Sequence, residues 1–251
     1  MQNIPFNNDE RLDTVNDQIK LLQKKDGLTF GTDAFLLASF IKPKSGGRAV
    51  ELGAGTGIIS LLLASRNKFK HITAIEIQQD FAGLAARNTE LNSLEEKIRI
   101  LCADIRDITP QNLAFEADVV FSNPPYMKIN SGKRNISDYK YIARHEVCGN
   151  INDFCASAYR LLKHGGKFYV VWRPDRLCDI ICSLRNNKLE PKIMTLVCAD
   201  AADEPSMALI CATKGGACGL DLTPPLIIYS DKSKSVMSEK SKRIYETLSF
   251  D

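Results

Sequence analysis

The stretch FSNPPY, 121–126, ends the apolar run ADVVF with an asparagine, two prolines and an aromatic ring. Neither proline donates a backbone hydrogen bond, so a strand must stop there. Asn123 precedes a proline, which pushes it into an extended conformation and holds its side-chain amide outward. Tyr126 then offers a flat face close to that amide. Standing alone, NPPY would read as a loop that only terminates an element. Upstream, ELGAGTG sets Gly53, Gly55 and Gly57 between an apolar strand and a helical run. Such a turn lets the backbone approach a ligand closely and points helix N-terminal amides at it. The spacing is G-x-G-x-G, not the G-x-G-x-x-G that holds a pyrophosphate, so a nicotinamide dehydrogenase is the poorest reading. Glu51, just ahead of the loop, suits a ligand with an amine and a sulfonium better than one with phosphates. Glu76 ends the next strand and can accept hydrogen bonds from both ribose hydroxyls; Asp104 ends the third and can accept from an adenine amine. Each acid alone would be an exposed strand-end charge. Three at successive strand ends beside one glycine loop mark a binding crevice, because open α/β sheets take ligands there.

The elements that must position these residues alternate along the chain. RAVEL (48–52), HITAIEI (71–77), KIRILCAD (97–104), ADVVFS (117–122) and KFYVVW (167–172) read as strands, and IMTLVC, ALICAT and LIIY as later ones. The run IISLLLASR is helical, and Phe81, Leu84, Ala85 and Leu91 share a helical face. Phe154, Ala158, Leu161 and Leu162 mark another helix, stopped by Gly165-Gly166, and Pro174 opens one carrying Leu177, Ile180, Ile181 and Leu184. Thr32-Asp33 can cap a helix through Phe40, and Pro43 to Gly47 is a turn. The tail from Lys232 to Arg243 reads as a polar, partly mobile helix. This alternation predicts an α/β fold with a mostly parallel sheet covered by helices on both faces.

Composition bounds the function classes. A net charge of +3 from 33 basic and 30 acidic residues is too mild to prove a nucleic-acid partner. The start, MQNIPFNNDERLD, is polar and unlike a signal peptide, and the apolar run Ile58 to Ala64 is far too short for a bilayer. The eight cysteines include no C-x-x-C pair, His71, His145 and His164 lie far apart, and Cys178 with Cys182 makes no zinc site, so no metal is expected. The thiols are expected to be reduced and mostly buried in a cytosolic protein.

ELGAGTG, the acid of AIEIQ, CAD and SNPPY together resemble a class I S-adenosylmethionine-dependent methyltransferase with the amino-methylating NPPY motif. DGLTFGTDAFLLASF, ARHE at 143–146, RLLKHGGKF at 160–168 and PPLIIY at 224–229 make the chain similar to the bacterial tRNA adenine-N6 methyltransferases that modify valine tRNA at the adenine beside the anticodon. The resemblance implies a Rossmann-like fold with a seven-stranded sheet, one domain over 1–251, a short extension at about 1–30 and a basic insertion at about 127–150. It implies that S-adenosylmethionine is the cofactor, leaving as S-adenosylhomocysteine. Gly53, Gly55 and Gly57 would line its amino-acid portion with Glu51 near its ammonium; Glu76 would bind the ribose, Ile77 pack on the adenine, and Asp104 with Ile105 complete the adenine site. Gly31, Thr32 and Asp33 would close the pocket, although Thr32 reads equally well as a helix cap. Asn123 and Pro124 would accept the hydrogens of the target amine, Pro125 would stiffen the turn, Tyr126 would stack on the base, and Asn123 would also border the cofactor.

The partner so implied is tRNA, met by a monomer with a homodimer left open. Lys128, Lys133, Arg134, Lys140 and Arg144 face one acid, Asp138, with Tyr139 and Tyr141 interleaved, a composition that can guide a backbone and stack bases or be a plain solvated loop. Arg144 could meet a phosphate and His145 sit near the target, or Arg144 could pair with Glu146; Lys214 could widen the basic surface. A protein glutamine-N5 methyltransferase also uses NPPY, but usually with a separate helical domain that the roughly 47 residues ahead of the glycine motif do not supply. A DNA adenine methyltransferase would be expected to carry a target-recognition domain. A binding module without catalysis would have no need of NPPY.

Overall fold

The computed structural model describes residues 7–25, 30–125 and 149–250. Its centre is a nine-stranded sheet whose neighbours run β10-β8-β9-β7-β6-β3-β4-β5, with β11 on β8. Here β3 is Arg48–Leu52, β4 His71–Glu76, β5 Ile98–Cys102, β6 Ala117–Ser122, β7 Leu162–Trp172, β8 Leu189–Cys198 and β9 Pro205–Lys214. The expected seven strands are these long ones; Asp221–Leu222 (β10) and Leu226–Ile227 (β11) add two short pairings on β8, so the sheet exceeds seven. Among the long strands β9 runs antiparallel to both neighbours, and the others are parallel to one another.

Side-chain alternation along each strand divides the core in two. Ala49, Ile72, Ala74, Val119 and Phe121 face one side, with the helices α1 (Thr32–Phe40) and α2 (Ile58–Ser65). Val50, Leu52, Ile75 and Val120 face the other, with Phe154, Ala158, Ile180 and Leu184 from α5 (Ile151–Leu161) and α6 (Leu177–Asn186). Two further helices, α3 (Gln79–Leu91) and the short α4 (Pro110–Leu113), follow β4 and β5. The last helix, α7 (Glu239–Thr247), is more anchored than a polar tail suggests: Ile244 and Ser241 are buried, and Tyr245 stacks on Phe35 at 4.4 Å and 8°.

Several expectations shift. The helix ahead of Gly165-Gly166 ends at Leu161, and the glycines lie inside β7 at a register irregularity against β6. Pro174 opens a 3-10 turn, Pro174–Arg176, and the α-helix starts at Leu177. Gly31, not Thr32, is the N-cap of α1, which has no side-chain cap bond. Cys155, Cys198 and Cys211 are buried, but Cys102, Cys178, Cys182 and Cys218 are exposed; α6 turns Ile180 and Leu184 inward and leaves Cys178 and Cys182 outside. A hairpin of Glu10–Thr14 (β1) and Lys20–Lys24 (β2), not foreseen in the sequence, packs beside α3. Among the described residues no helix is long and apolar enough to cross a membrane, and no group of three His, Cys, Asp or Glu side chains could hold a metal.

Candidate active site

Strand order decides where the site forms. From β3 the chain proceeds outward through β4 and β5, then returns to place β6 on the other side of β3. At that reversal the loops after β3 and β6 part and leave a crevice at the carboxyl ends of the strands. The glycine loop and Asn123-Pro124-Pro125 leave β3 and β6 at that point. Ser122 donates to the Leu52 carbonyl at 2.7 Å, tying the two strand ends together one residue before Asn123.

The loop needs its glycines at specific places. Gly53, Gly55 and Gly57 adopt φ of +71°, +55° and +80°, a region that side chains disfavour. A Cβ on Gly57 would stand 3.3 Å from Ala85, whereas one on Gly55 would meet nothing within 4 Å. The surface above Gly55 is therefore open. Glu76, 5% exposed, holds the loop from β4: its Oε2 accepts from the Gly55 amide at 2.8 Å and its Oε1 from the Gln78 amide at 2.9 Å. Burial raises the Glu76 pKa, opposed by these amide hydrogen bonds. The carboxylate keeps lone pairs for further donors, as a ribose diol requires.

Glu51 departs from its expected place. It shares the α2 side of β3 with Ala49, is 1% exposed, and accepts from the Ser60 hydroxyl and, at 3.2 Å, from the Ser60 amide. The alternation that sends Val50 and Leu52 to the far core turns Glu51 toward α2. Burial pushes its carboxyl up to about 8, against the pull of Ser60, with the nearby Glu76 adding to the rise. A folded-state value above the ordinary 4.5 means that the folded chain holds the proton more tightly. The stability so gained is complete below pH 4.5 and drains away as pH climbs toward 8. Between pH 5.5 and 8 the loss is on the order of 3 kcal/mol. Urea unfolding at the two pH values should show that loss in the wild type and its near absence in Glu51→Gln. Equal pH dependence in both would mean that Glu51 is already ionised at the lower pH.

The remaining candidates fall into place or out of it. Asp104 follows β5, but Arg106 Nε sits 3.0 Å from both its oxygens and, first among the causes, lowers its pKa; a ligand amine would share the carboxylate with that exposed guanidinium. Ile77 is half-buried beside Glu76. The Ile105 side chain belongs to the core cluster that holds Leu52 and Phe154 and is 5% exposed. Lys214 is a correction. Since β9 runs antiparallel to β7, Lys214 lies at the opposite end of the strands, beside the amino end of β7, where it donates to the Leu162 carbonyl and lies 4.5 Å from the Tyr159 ring centroid. Tyr126, Lys128, Lys133, Arg134, Arg144 and His145 lie outside the described residues.

Two features went unread in the sequence. Asn88, on the buried face of α3, accepts from the Leu22 amide at 2.7 Å and donates to the carbonyls of Leu22 and Thr56, joining the N-terminal hairpin to the glycine loop. Its signal was present: a polar residue in helical phase with Phe81, Leu84 and Ala85. Asp33 accepts from the Asn123 side-chain amide at 2.9 Å, a contact that no local pattern announces.

Strand order, glycine loop and the acid that ends β4 define a Rossmann-like class I methyltransferase fold. The chain belongs to the methyltransferase small domain family, which its residues 24–182 match. It is 28% identical over 200 residues to a Bacteroides fragilis protein named tRNA1(Val) (adenine(37)-N6)-methyltransferase, covering 78% of this chain and 81% of that protein. A Dyadobacter fermentans protein of the same name is 28% identical over 158 residues, 63% of this chain and 64% of its own length. Among solved structures, a predicted O-methyltransferase from Agrobacterium tumefaciens superposes with a TM-score of 0.71 at 23% identity over 87% of this chain and 97% of that one. Pyrococcus horikoshii TYW2 gives 0.58 at 16%, over 84% of this chain and 73% of that one.

Proposed function

We propose that the protein transfers a methyl group from S-adenosylmethionine to the exocyclic N6 of adenine 37 in a valine tRNA. The observation that carries this reading is the juxtaposition of Asn123-Pro124 with the Glu76-held glycine loop at one reversal of strand order. Relatives named for that reaction over most of their length support the substrate. The residues fit the cofactor: a buried carboxylate for the ribose, an open face above Gly55, and no basic side chain on the glycine loop to call for phosphate.

Bound there, S-adenosylmethionine supplies a methyl group activated by its sulfonium charge. The chain's own task is to position and expose the amine. An adenine N6 lone pair is delocalised into the ring. With one hydrogen accepted by the Asn123 side-chain oxygen and the other by the Pro124 carbonyl, the nitrogen becomes more tetrahedral and its lone pair turns toward the methyl group. The proline-bounded turn holds both acceptors ready before substrate arrives. Tyr126 stacks on the base once it leaves its neighbours, which an unpaired loop base does at lower cost than a paired one. No strong general base is required, because the nitrogen becomes acidic once methylated. In this reading the protein acts on tRNA in the cytoplasm, as a monomer or a homodimer.

The test uses radiolabelled cofactor with a transcript of that tRNA and one bearing guanine at position 37. Label is expected only in the adenine transcript. Equal label in both would sink the site assignment, and label in a release factor but in no RNA would favour glutamine methylation. Lys133→Glu with Arg134→Glu should weaken tRNA binding and flatten its salt dependence while leaving cofactor affinity unchanged.

A further inference from the structure

The Asn123 amide is oriented by a residue distant in sequence. Its Nδ2 donates to Asp33 Oδ2 at 2.9 Å across a separation of 90 residues, and Asp33 Oδ1 accepts from the Ala34 amide at 2.9 Å. A carboxylate can only accept, so the NH2 end of Asn123 must face Asp33 and its oxygen must face elsewhere. The two ends of a carboxamide are nearly the same shape. An unrestrained amide can therefore rotate and present donors to a substrate amine that needs acceptors. We infer that Asp33 is a positioning residue for the transfer, locking the Asn123 amide with its oxygen as the acceptor. This rests on the reading of Asn123 as the amine acceptor given above.

The surroundings of Asp33 are built for that task. A Cβ on Gly31 would stand 2.7 Å from Asp33 Oδ1, although the Gly31 backbone, at φ −113°, is one that any residue adopts. A methyl group there would push the carboxylate from its place. Phe35 stacks on the Tyr245 ring, so the first turn of α1 is held from α7. On the opposite side the Ser122 bond to the Leu52 carbonyl anchors the strand end that carries Asn123. Both partners thus stand on fixed mounts, as preorganised acceptors must. A cofactor-closing role for Asp33, implied by the family resemblance, would act on cofactor affinity instead.

The experiment measures kcat on the tRNA transcript, cofactor Kd by calorimetry and thermal unfolding, all on the full chain. Asp33→Ala should lower kcat about tenfold or more and leave cofactor Kd within about threefold. Adding Asn123→Ala to Asp33→Ala should be no slower than Asn123→Ala alone, since Asp33 acts through that amide. Asp33→Asn should also be slow, because one amide oxygen cannot serve both the Ala34 and Asn123 donors. Asn123→Asp sets two carboxylates face to face; combining it with Asp33→Asn restores a donor–acceptor pair and should raise the rate at least tenfold over Asn123→Asp. Gly31→Ala should slow the wild type but not the Asp33→Ala enzyme. Additive losses, a cofactor Kd that rises with the loss of Asp33, or a swapped pair no faster than Asn123→Asp would overturn the inference. Should Asp33→Ala fail to fold, the swapped pair decides alone. Full activity in Asn123→Ala would instead sink the parent reading, whereas a dead Asn123→Ala beside a normal Asp33→Ala would sink only this one.

Discussion

Asn123→Ala should fold, bind S-adenosylmethionine almost as the wild type does, and turn over at least a hundredfold more slowly. Asn123 is half-buried on a loop, and loss of its bond to Asp33 costs the fold on the order of 1 kcal/mol. Its oxygen matters most when the amine rehybridises, and loss of one preorganised group of this kind costs about 2.7–4 kcal/mol in the barrier. Single-turnover rates with saturating cofactor and tRNA isolate the chemical step. A variant that keeps kcat but loses cofactor affinity would move Asn123 from the acceptor site to the cofactor site. Tyr126→Phe should retain much of the activity that Tyr126→Ala loses, since stacking uses the ring and not the hydroxyl.

Glu76→Ala should weaken S-adenosylmethionine binding by about 1.5–3 kcal/mol, or some ten- to a hundredfold. Two effects add. The ribose loses a charge-assisted acceptor, and the Gly55 and Gln78 amides lose the carboxylate that fixes them at 2.8 and 2.9 Å. The glycine loop must then be ordered at the expense of binding. Because burial raises the Glu76 pKa, its protonation on acidification should begin to erode affinity at a higher pH than for an exposed glutamate. Calorimetry of both proteins at several pH values tests this. Unchanged affinity in the alanine variant would remove Glu76 from the site.

Whatever depends on a residue and its immediate neighbours could be read from the sequence. Glycines needing positive φ marked the loop after β3, a pre-proline asparagine marked the exit of β6, and short apolar runs gave β3 and β6 their bounds. The acid at the end of β4 and the amide after β6 were legible as chemistry because side chains at a strand's carboxyl end emerge from the packed sheet. Tertiary structure decided direction and company. Glu51 looked like a ligand-facing acid, but the face assigned to it by strand alternation is covered by α2, where Ser60 meets it. Lys214 looked like part of a basic rim, but an antiparallel β9 carries it to the opposite end of the strands, beside the amino end of β7. The N-terminal hairpin lacked a local turn signature strong enough to announce it and is held to the glycine loop through Asn88. Asp33 and Asn123 come together because α1 packs across β7 and β9, next to β6, bringing distant parts of the chain into hydrogen-bond reach. Propensity and spacing act over a turn or a strand, whereas such pairings depend on the order and direction of strands, which only the packed sheet determines.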